Sequence, residues 1–76
     1  MVELVHIDPL RNCWRFYRLA LQPDLFGGAA LIRHWGRIGT PGVRRLDLYA
    51  DPGTALNALA ELVRVKIRHG YQERGR

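Results

Sequence analysis

The sequence predicts an α+β domain, a four- to five-stranded antiparallel sheet with one C-terminal helix packed across one face. Three observations lead there. Aromatic and branched residues between positions 13 and 49 fall in short runs separated by proline and glycine clusters, the punctuation of consecutive hairpins. After Asp51 the apolar spacing changes to threes and fours, with a capping residue before it and a glycine after it. The chain has 76 residues, which makes one domain, with a core expected over about residues 2–71.

Val2 to Ile7 alternates loosely and reads as a first strand, ended by Asp8-Pro9 because proline cannot donate to a ladder. Pro9 to Asn12 reads as a turn and Cys13 to Leu21 as a second strand. Its facing stays open, since Trp14 and Phe16 favour burying one side while Leu19 and Leu21 favour the other. Pro23 to Gly28 has the residues of a hairpin loop, and the chain returns as a strand from Ala29 to Ile38. Gly39-Thr40-Pro41-Gly42 is a second tight connection, with Gly39 at a positive φ, before a strand from Val43 to Tyr49. Asp51-Pro52 then opens a helix, aspartate as N-cap and proline in the first turn. Leu56, Leu59, Ala60, Val63 and Ile67 make its apolar stripe, and Gly70 stops it. Residues 72–76 are expected to fray.

Arg33 to Gly42 carries the most chemistry. Read with period two, Ala30, Ile32, Gly36 and Ile38 share one strand face, expected to be the core beneath the helix. Arg33, Trp35 and Arg37 share the other, expected to stay open, where guanidinium groups flank an indole. Such a surface suits a polyanion with stackable rings. Charge agrees with this. The net charge is +5, and the excess begins here: residues 33–50 hold four basic groups and one acidic, residues 51–76 five and three. Eleven of the twelve basic residues are arginine, whose planar fork grips phosphate oxygens in pairs.

Other chemistries find little support. Cys13 is the only cysteine, and His6, His34 and His69 lack ligand spacing, so no metal site or cofactor is expected. Serine is absent, the carboxylates stand singly, and no glycine loop precedes a helix, so no enzyme activity is expected. The amino-terminal residues carry no basic leader and no apolar run reaches membrane-spanning length, which makes the cytoplasm the expected compartment.

Trp35-Gly36-Arg37, followed by Ile38-Gly39-Thr40 and Gly42, resembles the signature of the WGR domain, a module of DNA-dependent poly(ADP-ribose) polymerases and of short bacterial proteins. Asn12 with Phe16-Tyr17-Arg18-Leu19 is similar to that family's opening strand, and Lys66 with Gly70-Tyr71 to its closing helix and exit. The resemblance implies a binding module without catalysis. It also implies that Trp35 packs against the sugar of a terminal nucleotide at a DNA end or break, and that Arg37 contacts either nucleic acid or a neighbouring domain. Arg33, Arg44 and Arg45 are candidate phosphate contacts by position, their alternative being solvated charge. Lys66 and Tyr71 are candidate contacts through the resemblance, their alternative being helix capping and packing. A nucleic-acid partner, DNA at ends, nicks or single-stranded junctions, is therefore the first expectation. A protein-interaction module is the second.

Overall fold

In the computed structural model, which describes residues 1–74, the chain forms a five-stranded antiparallel sheet with one helix across it. Strand β1 (Val2–Asp8) leads through a single 3-10 turn (Pro9–Arg11) to β2 (Cys13–Pro23). Strands β3 (Ala29–Arg37) and β4 (Val43–Tyr49) follow, then helix α1 (Pro52–Arg68) and a short β5 (Gln72–Glu73). The order across the sheet is β4-β3-β2-β1-β5. The first four strands are thus a meander, each hairpin pairing with the one before. β5 joins the far edge, opposite Leu4 and Val5 of β1, and Arg74 donates its amide to the Glu3 carbonyl. Gln72 to Arg74 are therefore tied to the sheet where fraying was expected; Gly75 and Arg76 lie outside the described residues.

The helix begins where its cap requires. Asp51 has extended backbone and its carboxylate accepts from the Thr54 amide at 2.9 Å and the Thr54 hydroxyl at 2.8 Å. Those bonds, the backbone one foremost, hold the Asp51 carboxyl below its usual value. At the other end the helix stops at His69, and Gly70 turns the chain with φ +101°.

Two assignments of facing are corrected. The core lies on the Trp35 side of the sheet, not on the Ile32 side: Leu4, Leu19 and Leu31 are fully buried there with Tyr17 and Tyr71, and Trp35, Leu59, Leu62 and Val63 pack against them. Burial is settled by the whole layer. Tyr17, Leu19 and Leu21 pair with Trp35, Arg33 and Leu31, so three strands present large side chains together on that face. Gly36 therefore does not lie beneath the helix. A Cβ there would point the other way, 2.7 Å from the Gly42 Cα. The helical stripe is also rotated from the expected one: Ala55, Ala58, Leu59, Leu62 and Val63 turn inward, while Leu56, Ala60 and Ile67 are exposed. Small alanines let the helix sit close to the sheet, so the bulkier Leu56 and Ile67 need not face it.

Candidate nucleic-acid interface

The helix does not cover the whole of its sheet face. Beyond its last turn, side chains of β2 and β3 are left in rows set by the register. Tyr17 pairs with Trp35, and the next residues on the same face, Arg15 and Arg37, pair with each other. Lys66 from the last helical turn and Tyr71 from the exit close the side. Together with Gly36 they line an open cleft of about 430 Å³.

Its floor is aromatic. The Tyr17 and Trp35 rings lie nearly parallel, 15° between planes and 5.6 Å between centroids, and Tyr71 meets Tyr17 edge-on at 6.4 Å. The Lys66 ammonium stands 4.6 Å from the Tyr17 ring centre and 5.5 Å from that of Tyr71, and the Arg33 guanidinium 5.7 Å from the Trp35 ring. Burial pushes the Tyr71 hydroxyl above its usual pKa, the nearby Arg15 pulling weakly the other way, so it stays a neutral donor at ordinary pH.

Its walls are cationic. Arg15, Arg37 and Lys66 line the cleft and no carboxylate does. Like charges directly across an antiparallel pair destabilise a sheet, so Arg15 opposite Arg37 needs another justification. Arg37 is aimed by Asn12: the guanidinium donates to the Asn12 carbonyl at 3.3 Å and to its side-chain oxygen at 3.2 Å. Asn12 can present both oxygens because it sits in the left-handed region, φ +50°, at the end of the 3-10 turn. These acceptors are neutral, so the charge of Arg37 remains uncompensated by any carboxylate among the described residues.

Of the residues singled out from sequence, Trp35, Arg37, Lys66 and Tyr71 come together in this cleft. Arg33 and Arg45 lie on the same face one row away, directly opposite each other, and converge on Asp47 at 3.0 Å each. The Arg33 contact is an ion pair by distance but off-line as a hydrogen bond, which leaves its buried Nε without a linear acceptor. Distance governs the Coulomb attraction, so both arginines count as neutralised in part by Asp47. Arg44 is on the opposite face, beside His34 and Arg18. Arg15 and Tyr17 were not singled out as contacts. Their signal was the alternation of Arg15, Tyr17, Leu19 and Leu21, which became readable only once the facing of β2 was fixed.

No group of three or more His, Cys, Asp or Glu side chains placed to hold a metal occurs among the described residues, and no helix among them is long and apolar enough to cross a membrane.

Comparison with known proteins agrees with this architecture. The family described as WGR domain matches residues 1–76. The uncharacterized protein y4dW of Sinorhizobium fredii (strain NBRC 101917 / NGR234) is 38% identical over 68 residues, a match that covers 90% of this chain and 33% of that protein. A crystal structure of a Bacteroides fragilis protein superposes with a TM-score of 0.80 over 99% of this chain and 20% of that one, at 21% identity. The chain thus spans about a third of the curated relative and a fifth of the solved structure, and the latter supports the fold alone.

Proposed function

Because this chain belongs to the WGR domain family, whose members are generally nucleic-acid-binding modules, we propose that it binds DNA where a strand ends, through the cleft at the helix C-terminus. The observation that carries the reading is the Arg15–Arg37 pair, two opposed guanidinium groups beside a parallel Tyr17–Trp35 pair with no carboxylate lining the cleft. A phosphate seated between the arginines would relieve their mutual repulsion through charge-assisted hydrogen bonds. Lys66 would hold a second phosphate, and the Trp35 indole would lie against the sugar or base of the terminal nucleotide. The module is assigned binding and no catalysis. Arg33 and Arg45, engaged with Asp47, are given a secondary role in the local field, and Arg44 none in this contact.

Salt dependence tests the reading. One phosphate between the arginines and a second at Lys66 imply a slope of roughly −2 in log K against log salt for short duplex DNA. Arg15→Ala and Arg37→Ala, which act on one shared phosphate, should each make it shallower by at most about one unit. Arg44→Ala, on the other face, should leave it unchanged. A slope near zero would favour a protein partner instead. An Arg44→Ala effect equal to that of Arg37→Ala would move the contact to the wrong side of the sheet.

A further inference from the structure

The sheet has one long free edge. β4 is the outermost strand on its side, seven residues from Val43 to Tyr49 without proline or glycine. Its only ladder partner among the described residues is β3. Large apolar side chains crowd this edge in the open: Val43 is 56% exposed, Leu46 57% and Leu48 71%. An edge of this kind presents a row of unpaired amides and carbonyls, a template for another strand unless it is blunted by proline, a bulge or inward charge. No proline or bulge interrupts Val43–Tyr49, and its inward charges, Arg45 and Asp47, already pair with each other.

The charges on the strand choose the partner. On the helix side of the sheet β4 carries Val43, Arg45, Asp47 and Tyr49, and on the other side Arg44, Leu46 and Leu48. A second copy pairing antiparallel about a twofold axis perpendicular to the sheet keeps both faces in common, so the axis must pass through one residue and its own copy. Centring on Arg45 sets two arginines against each other, and centring on Asp47 two aspartates. Centring on Leu46 pairs all seven residues. Arg45 then lies opposite the partner's Asp47, and Asp47 opposite the partner's Arg45. Val43 meets the partner's Tyr49, Leu46 meets the partner's Leu46, and Leu48 packs along the stem of the partner's Arg44. That register alone uses the full strand and sets opposite charges face to face.

We infer that this chain self-associates through β4, antiparallel and centred on Leu46, to give a continuous ten-stranded sheet with both helices on one face. The occupant is a second copy because the pattern of Arg45, Leu46 and Asp47 is complementary to itself when reversed. Arg45 is held within its own chain only by an exposed contact to Asp47, and its side chain is 62% exposed, so it is free to reach across. Arg33 remains on Asp47 in either state. The buried area is that of two edge strands, well under a standard interface, so the association is weak and concentration-dependent. The clefts at Trp35 stay open in the dimer, and the inference is independent of what they bind.

Register-specific crosslinking tests it, alongside sedimentation equilibrium of the wild type. In a Cys13→Ser background, Leu46→Cys places the two thiols directly opposite, with Cα atoms about 4.5 to 5.5 Å apart, within disulfide reach. Leu48→Cys, the more exposed of the two positions, offsets them by four residues, roughly 13 Å, beyond reach. Under mild oxidation Leu46→Cys should form disulfide dimer at least tenfold faster than Leu48→Cys. Arg45→Glu, which sets a carboxylate against the partner's Asp47 twice, should weaken dimerisation at least tenfold while melting normally. A wild type that sediments as a monomer up to about 1 mM, where even millimolar affinity would register, overturns the inference. So does crosslinking through Leu48→Cys at the rate of Leu46→Cys, or dimerisation untouched by Arg45→Glu.

Discussion

Replacing Gly42 by alanine should cost far more than the same change at Gly39, although both glycines sit in one turn and both have positive φ. Gly42 has φ +71° and Gly39 φ +92°, so an alanine at either position enters the left-handed region at a cost of about 1 to 2 kcal/mol. The reduced freedom of the unfolded chain returns about 0.4 to 1 kcal/mol in both cases and cancels from the comparison. Space separates them. A Cβ at Gly39 meets nothing within 4 Å, whereas at Gly42 it would stand 2.4 Å from the Trp35 carbonyl oxygen and 2.9 Å from the Phe16 ring. The first of these is backbone and cannot rotate away, so the turn must shift, at about 1 to 3 kcal/mol. The net expectation is about 1 kcal/mol for Gly39→Ala and about 2 to 4 kcal/mol for Gly42→Ala. The latter is a large share of the roughly 4 to 11 kcal/mol that a chain of this length has in total. Urea titration reads it directly: with a slope near 1 kcal/mol/M, the two midpoints should differ by about 1 to 3 M. Equal midpoints would mean that the turn does not approach β3 as closely as described, and that the Trp35 backbone is not held by it.

Trp35→Ala should now be costly as well, since the half-buried indole packs on Tyr17 and the core; about 2 kcal/mol is expected, roughly half the figure for a fully buried tryptophan. A melting temperature unchanged in Trp35→Ala would return the indole to the open face. Asp51 sets an acid limb: its folded pKa is lowered from 3.8, so the stabilisation it gives is present above that value and is lost as pH falls through the lowered one. Asp51→Asn, which keeps an acceptor at the cap, should melt below the wild type at neutral pH, and the gap should close in acid. A gap that widens in acid would contradict the assignment.

Local signals were legible and shared surfaces were not. The Asp51-Pro52 start, the Gly70 stop and the bounds of Val43–Tyr49 depend on residues adjacent in sequence, and the structure places them as read. The positive φ of Gly39 is of the same kind. The facing of β3 failed because Ala30, Ile32 and Ile38 make the more apolar side of that strand taken alone. Leu31 is buried instead because Leu19, Leu4 and the helix meet over it, and Arg33 is tolerated on the core side because Asp47 reaches it from the next strand. The helical stripe slipped for a related reason: with apolar residues on several sides of α1, spacing alone could not tell small Ala55 and Ala58 from bulky Leu56 as the inward set. Trp35 and Arg37 were found because they stand two apart on one strand, within a single short motif. Arg15 and Tyr17, their cross-strand partners, required the register.

The central claim, that the cleft holds the end of a DNA strand, is tested most directly by competition between open and closed DNA. Phosphate density is nearly the same in a nicked circle and a covalently closed circle of equal length, so basic attraction alone treats them alike. The Trp35 indole can lie against a terminal nucleotide only where a strand stops, a contact worth about 1 to 3 kcal/mol, or roughly five- to a hundred-fold in affinity. At fixed salt the wild type should therefore be displaced from a labelled nicked duplex at least fivefold more readily by nicked than by closed circles. Trp35→Leu, checked by melting to be folded, should lose most of that preference while retaining its salt-dependent background. Equal displacement by the two circles, or a preference that survives Trp35→Leu, would contradict the account.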